Sequence, residues 1–566
     1  MDLDEFINEA RVAYFSMEIA LRADIPTYSG GLGVLAGDTM RTCADLELRL
    51  VAISLVAHEG YFRQEIDAEG RQQEYADEWS PAKWTRPLQA KITVPIEGRS
   101  VWVGGWLYII EAAGGGRQPV ILLDTDLYEN EPEDRKITDR LYGGGDDHRL
   151  RQEVVLGIGG VRMLQALGFE ISRYHMNEGH SALLALELLR RGAVARQDLR
   201  RGESPYNVID VREMCSFTTH TPVEAGHDKF AYGLVDKILH EYIDTGTLRT
   251  LAGEDRMNMT RLALNLSESV NGVTKRHASV TQQIFPDYYV RGITNGVHPF
   301  TWTSPHFAKL YDEYLPGWRH EPELLVRADC CISDDALWQA HMSAKTDLAV
   351  KVKELVAAEL DPDVPTLGFA RRMTAYKRPD LLFSDLDRLR EIARQTPFQL
   401  VLSGKAHPAD IRGKHLVEKL HQFARDLAGD LKVVFLPNYD MNLAASMVAG
   451  VDVWLNTPLP PLEASGTSGM KAAFNGVPNL SILDGWWIEG CIEGITGWAV
   501  GDDGQRADPD ADASDLYDKL QRVVLPLYYG ERAGWVGVMK GAIAKNASFF
   551  NSHRMMRRYV TEIYIR

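Results

Sequence analysis

From residue 366 onward, short apolar runs alternate with amphipathic helical stretches, and this alternation constrains the fold more than any other feature. Strand-like runs at 366–370, 398–403, 432–436, 451–455 and 478–483 are separated by helical patterns such as 379–394 and 410–427. Strands that alternate with helices are joined by crossovers, which gives a parallel, doubly wound sheet with ligands at the carboxyl ends of its strands. The first half repeats the theme more roughly, with strands expected near 51–57, 101–110, 120–123, 171–176 and 213–218 and a helix at 182–191. A chain of 566 residues exceeds what one growing core supports. The pattern predicts an α/β protein of two doubly wound domains facing a cleft.

Turn residues and a proline at Asn295-Gly-Val-His-Pro299 break the alternation. The expected organisation is a domain at 1–296, a second at 297–540, and a helical segment at 541–566 packing back on the first. The acidic stretch 501–514 reads as an exposed loop. A net charge of −17 argues against nucleic acid or an anionic membrane surface as partner, whereas a neutral polymer raises no such objection. Five scattered cysteines form no CxxC pair, the N-terminus is acidic, and no apolar run is long enough to span a bilayer. These features predict a cytoplasmic protein with reduced thiols.

The most telling short segment is Glu463-Ala-Ser-Gly-Thr-Ser-Gly-Met-Lys471, a small, hydroxyl-rich loop between an expected strand and a short helix stopped by Asn475-Gly476. Free N–H groups at such a strand-loop-helix junction suit a phosphate. A second basic segment, Gly368-Phe-Ala-Arg-Arg-Met-Thr-Ala-Tyr-Lys-Arg378, directly follows a strand. In the first half, Tyr28-Ser-Gly-Gly-Leu-Gly-Val-Leu-Ala-Gly-Asp38 is glycine-rich but lacks the dinucleotide spacing. His175 and His180, with Glu178 between them, match neither metalloprotease spacing, so no metal site is expected.

These segments together resemble the α-glucan phosphorylases, a family of the two-domain, Rossmann-like GT-B architecture. The resemblance runs in order from about residue 12 to about residue 487 and includes Glu59-Gly-Tyr-Phe-Arg-Gln64, Tyr75-Ala-Asp-Glu-Trp79 and Phe217-Thr-Thr-His-Thr-Pro-Val-Glu-Ala225. It implies reversible phosphorolysis of terminal α-1,4-linked glucose to α-glucose 1-phosphate with retention, using pyridoxal 5′-phosphate held by Lys471 as a Schiff base. On the same resemblance Arg372 binds the substrate phosphate, Lys377 bridges to the cofactor phosphate, and Gly31, Leu32 and Gly466 offer backbone donors. His220 and Asn295 bind the sugar, Glu463 holds a glucosyl hydroxyl beside Ser465, and Glu178 and His180 line the glucan path. Thr467, Tyr439 and Trp302 complete the cofactor surroundings. The implied partners are glucan, inorganic phosphate and glucose 1-phosphate, with a homodimer as the family default. The position of Tyr14-Phe-Ser-Met-Glu18 near the start suggests a minimal form without the N-terminal control segment of regulated members.

Departures from the family pattern fall at Ser468-Gly469 and Thr374-Ala375. Two other readings share the architecture. A sugar-nucleotide-dependent transferase of the glycogen-synthase type needs a second carboxylate where this chain has Lys471. A non-catalytic glucan-binding homologue would have lost matched positions that are intact here.

Overall fold

The computed structural model describes residues 3–200, 203–223, 226–240, 242–502 and 508–565. Glu224 and Ala225, which end one of the sequence motifs, lie outside them, as do residues 503–507 of the expected acidic loop. The chain forms two compact units. The first comprises Met1–Phe62, Ala76–Ile293 and Met556–Arg566, the second Arg63–Tyr75 and Thr294–Met555. Of the stretch 541–566, the part up to Met555 belongs to the second unit and only Met556–Arg566 to the first.

The second unit is built on six parallel strands. In space they run Lys432–Leu436, Gln399–Ser403, Thr366–Ala370, Val453–Asn456, Asn479–Ile482 and Gly497–Val500. In chain order this is 3-2-1-4-5-6, so the direction of winding reverses between Thr366–Ala370 and Val453–Asn456. Both of these strands are buried along their whole length, as expected of strands covered on two faces. The five strands expected from the sequence are all present. The sixth, Gly497–Val500, has too short an apolar run to stand out from the turns around it.

Residues 501–514 are not wholly a loop. Pro509–Lys519 is a helix, with Pro509 in its first turn and the Asp508 carboxylate capping the Ala511 N–H. Its buried face includes Asp512, which meets Arg378 Nη1 at 2.7 Å. A partner 134 positions away in sequence, invisible locally, orders what composition reads as solvated surface.

The first unit centres on parallel strands in the order Arg291–Gly292, Ser269–Gly272, Cys215–Thr218, Arg173–Asn177, Val12–Ser16, Leu50–Leu55 and Arg117–Asp124. Beyond these the sheet turns antiparallel. Arg99–Glu111 returns to Arg117–Asp124 through a turn containing Gly115 at φ +90°, too short for a helical crossover. The central strand, Val12–Ser16, is buried throughout and was not singled out as a strand from the sequence. No helix among the described residues is long and apolar enough to cross a membrane.

Candidate active site

In the second unit, two segments leave the strands that flank the reversal of winding, where open α/β sheets hold their ligands. Arg371 to Arg378 follow Thr366–Ala370, and residues 457–471 follow Val453–Asn456. They meet at Glu463. Its Oε2 accepts from Arg371 Nη2 at 2.6 Å and from Lys377 Nζ, and all three side chains are less than a tenth exposed. Burial alone would raise the Glu463 carboxyl, but the Arg371 guanidinium and the Lys377 ammonium override it and pull its pKa down to about 2. Arg371 Nε and Nη1, Ser465 Oγ and Thr374 Oγ1 are buried with no hydrogen-bond partner among the described residues. The segment therefore holds two cations against one carboxylate, with donors to spare.

Lys471 sits on the short helix Ser468–Ala473. Its amine is buried, 3.7 Å from the centroid of the Trp302 ring. Asn475 joins these two residues' segments, donating to the carbonyls of Trp302 at 2.8 Å and Lys471 at 3.2 Å. Gly466 takes φ +80°, a conformation that side chains disfavour, which fixes the turn between Glu463 and that helix. Thr467 occupies the position before the helix, half-buried. Tyr439 follows the strand Lys432–Leu436, and burial pushes its hydroxyl pKa up. Asn295 is buried with its Oδ1 unmatched, and its carbonyl accepts from Arg554 Nη2 at 2.9 Å.

Arg372 is exposed, whereas its neighbour Arg371 is the buried one on Glu463. The sequence did not single out Arg371. In an arginine doublet at a strand end, which side chain turns inward depends on the last pleat of the strand, and that parity is lost once the chain enters a turn.

In the first unit, the glycine-rich stretch opens the helix Gly31–Asp45. Glu18 clips its start, with Oε2 accepting from the backbone N–H groups of Ser29 at 2.6 Å and Gly30 at 3.2 Å, and Oε1 accepting from Tyr142 Oη. A Cβ at residue 33 would lie 2.6 Å from Glu18 Oε2, so glycine there is what permits the clip. At Gly31 a Cβ would meet no atom of the described residues within 4 Å beyond its chain neighbours and its own helix backbone, which leaves that side of the turn uncrowded.

His220 follows the strand Cys215–Thr218, and Glu178 follows the adjacent strand Arg173–Asn177. Glu178 adopts φ +74° and spends its carboxylate on the backbone N–H groups of Gly179 and His220 and on the Thr221 hydroxyl, at 2.7 to 3.0 Å. Burial raises its pKa, which these hydrogen bonds oppose. A buried carboxylate engaged in this way shapes the His220 turn. His180 turns to Asp228, its Nε2 3.5 Å from Oδ2, with burial and then Arg149 lowering its pKa to about 3. His175 is 2% exposed and bonded to Tyr564 and Thr218, so the three residues do not form a ligand set.

The second unit is thus a parallel α/β sheet whose winding reversal carries two buried cations on one carboxylate. Residues 244–495 match the model of the carbohydrate phosphorylase family. The chain is 40% identical to a maltodextrin phosphorylase of Thermococcus litoralis over 98% of its own length and 70% of that protein's, and 36% identical to a glycogen phosphorylase of Aquifex aeolicus over 98% and 86%. An uncharacterized protein of Methanocaldococcus jannaschii is 30% identical over 98% of this chain and 99% of its own. The chain belongs to the carbohydrate phosphorylase family.

Proposed function

We propose that this protein is an α-1,4-glucan phosphorylase, which transfers the terminal α-1,4-linked glucosyl unit of a glucan to inorganic phosphate and releases α-glucose 1-phosphate with retention. The observation that carries the reading is the buried Arg371–Glu463–Lys377 cluster at the winding reversal, on the segment that leads to Lys471. Family membership and the phosphorylase names of the relatives support it. The doubly wound architecture belongs to the same reading and is supported by the 3-2-1-4-5-6 order of the second sheet.

The residues present fit pyridoxal 5′-phosphate. Lys471 offers a buried amine beside an indole face, and the unmatched donors of Arg371, Ser465 and Thr374 suit phosphate oxygens. When bound, this group supplies a phosphate able to exchange a proton with the substrate phosphate. Lys471 would hold it, with Lys377, Thr467, Tyr439 and Trp302 around it. Arg372, exposed at the strand end, would bind the substrate phosphate, and Lys377 would fix positive charge between the two anions. Gly31, Leu32 and Gly466 offer backbone N–H groups to phosphate and sugar. His220 and the unmatched Oδ1 of Asn295 take sugar hydroxyls, while Glu463 and Ser465 hold another. Excluding water is what makes phosphate rather than water the acceptor.

Cytoplasmic function and a homodimer complete the proposal. The five cysteines are free, which suits a reducing compartment. The decisive assay incubates the protein with maltodextrin and phosphate. Glucose 1-phosphate is the expected product, and release of free glucose alone, or of nothing from folded protein, would exclude this function.

A further inference from the structure

In the first unit, parallel register brings three strand ends together. Ser16 lies opposite Asn177, and Asn177 opposite Thr218, two residues before His220. The side chains there form a continuous buried line. Ser16 Oγ lies 2.7 Å from the Glu18 carbonyl oxygen, Asn177 Nδ2 3.0 Å from Ser16 Oγ, and His220 Nε2 2.7 Å from Asn177 Oδ1. Ser16, Glu18 and Asn177 are each 1% exposed.

Proton accounting along this line has one solution. A backbone carbonyl only accepts, so the single hydroxyl proton of Ser16 must point at Glu18. The Ser16 oxygen is then left as an acceptor, and only the amide nitrogen of Asn177 can face it. Flipping that amide would set two acceptors against each other at Ser16, which fixes the carboxamide orientation by chemistry. The Asn177 oxygen therefore faces His220 Nε2 and needs a proton from it. Burial, reinforced by the nearby histidines, holds the His220 pKa down to about 3, so the ring is neutral and carries one proton. That proton is on Nε2. Nδ1 is a bare lone pair, and His220 is half-buried, with its backbone N–H tied to Glu178.

We infer that Ser16 and Asn177 are positioning residues that lock His220 in the Nε2–H tautomer, so that the histidine accepts a hydrogen bond at Nδ1 and selects a donor, namely a sugar hydroxyl. The tautomer follows from the line itself, while its use in selecting a sugar rests on the proposed phosphorylase function. The same residues connect the histidine to the glycine-rich turn, because the Glu18 carbonyl that ends the line belongs to the residue whose carboxylate clips Ser29 and Gly30. A histidine able to rotate or to switch tautomers would present a donor for part of the time and would tolerate a ligand that only accepts.

The test is nitrogen-15 NMR of the full chain with labelled histidine, assigned by loss of one signal in His220→Gln. The expected result is a neutral imidazole protonated at Nε2 throughout the neutral range. An imidazolium, or protonation at Nδ1, would overturn the proposal whatever the enzyme does. Ser16→Ala frees the Asn177 amide and should give a mixture of tautomers, with KM for glucose 1-phosphate in the synthetic direction raised about three- to tenfold and kcat less affected. An unchanged tautomer in folded Ser16→Ala protein would show that the line does not set it. Deoxyfluoro analogues of glucose 1-phosphate separate the two readings. With the tautomer as expected, some one hydroxyl replaced by fluorine, which accepts but cannot donate, should cost wild-type enzyme more than Ser16→Ala. Equal losses at every position would overturn the selection of a donor. Absence of any phosphorylase activity beside the expected NMR signature would sink the proposed function and leave the tautomer lock standing.

Discussion

At the scale of residues, the chemistry concentrates on a few buried charges. Reduction with borohydride followed by peptide mapping should label Lys471, and Lys471→Ala should be inactive and lose any pyridoxal absorbance. A label on another lysine would displace the cofactor assignment. Arg371 and Arg372 should separate cleanly. Arg372 is exposed, so Arg372→Ala should leave thermal stability unchanged while slowing phosphorolysis about ten- to a hundredfold through weaker phosphate use. Arg371→Ala leaves Lys377 as the single charged partner of the Glu463 carboxylate and should lower the melting temperature as well, because a buried charge-assisted hydrogen bond and the packing of the guanidinium are lost. Equal melting temperatures for the two variants would contradict this division. The depressed Glu463 carboxyl adds a pH signature. Its folded pKa lies below the unfolded one, so its contribution is present above about pH 4.5 and is lost as pH falls towards about 2.

At the scale of elements, the hairpin Arg63–Ile66 and Gln72–Tyr75 shows how an insertion is held. Although flanked in sequence by first-unit residues, it packs within the second unit through two buried glutamines. Gln72 donates to the Ala406 carbonyl at 2.8 Å and accepts from the Ala406 N–H at 2.9 Å, and Gln64 donates to Gly404 and Gln72. Gln64 also exchanges hydrogen bonds with Asn438, which sits at φ +57° immediately before Tyr439. Gln72→Leu strands both backbone groups of Ala406 without water. It should destabilise the second unit by about 2–5 kcal/mol, measured by denaturant unfolding, with little effect if the hairpin is dispensable. The strands of the second sheet were legible from apolar runs, because strands buried on both faces must be apolar throughout. The hairpin's destination was not, since its residues are polar and its partners lie more than 300 positions away.

At the scale of the whole molecule, acid sensitivity should lie in the first unit. Burial lowers His175, His180 and His220 to about 3 and His277 to about 4. A histidine held neutral in the fold but basic when unfolded stabilises above its unfolded pKa of about 6.5, and this stability drains away as pH falls towards the folded value. His148, also lowered by burial, acts with them, while Glu153, Glu178 and Asp139, raised by burial, and His58, whose burial is outweighed by Asp124 so that it too is raised, act in the opposite sense, and of these only Glu153 is shifted as far as the four histidines. The melting temperature of the first unit should therefore fall progressively below about pH 6.5. A flat profile down to pH 5 would show that these histidines are charged in the folded protein.

The sequence by itself determined the α/β class, the five main strands of the second sheet and the family, because buried parallel strands and ligand-holding loops impose residue types at fixed local spacing. It also pointed to Lys377 and Glu463, which stand on such loops, and to Lys471, on the short helix that one of them leads into. The tertiary structure alone decided that Arg371 rather than Arg372 is the buried partner of Glu463, that Glu178 spends its carboxylate on the His220 turn, and that the helix Pro509–Lys519 is held down by Arg378 where the sequence reads as loop. It alone joined Ser16, Asn177 and His220 into one hydrogen-bonded line. Each of these depends on which way a side chain points, or on a partner more than a hundred residues distant or on a neighbouring strand, and local sequence carries neither.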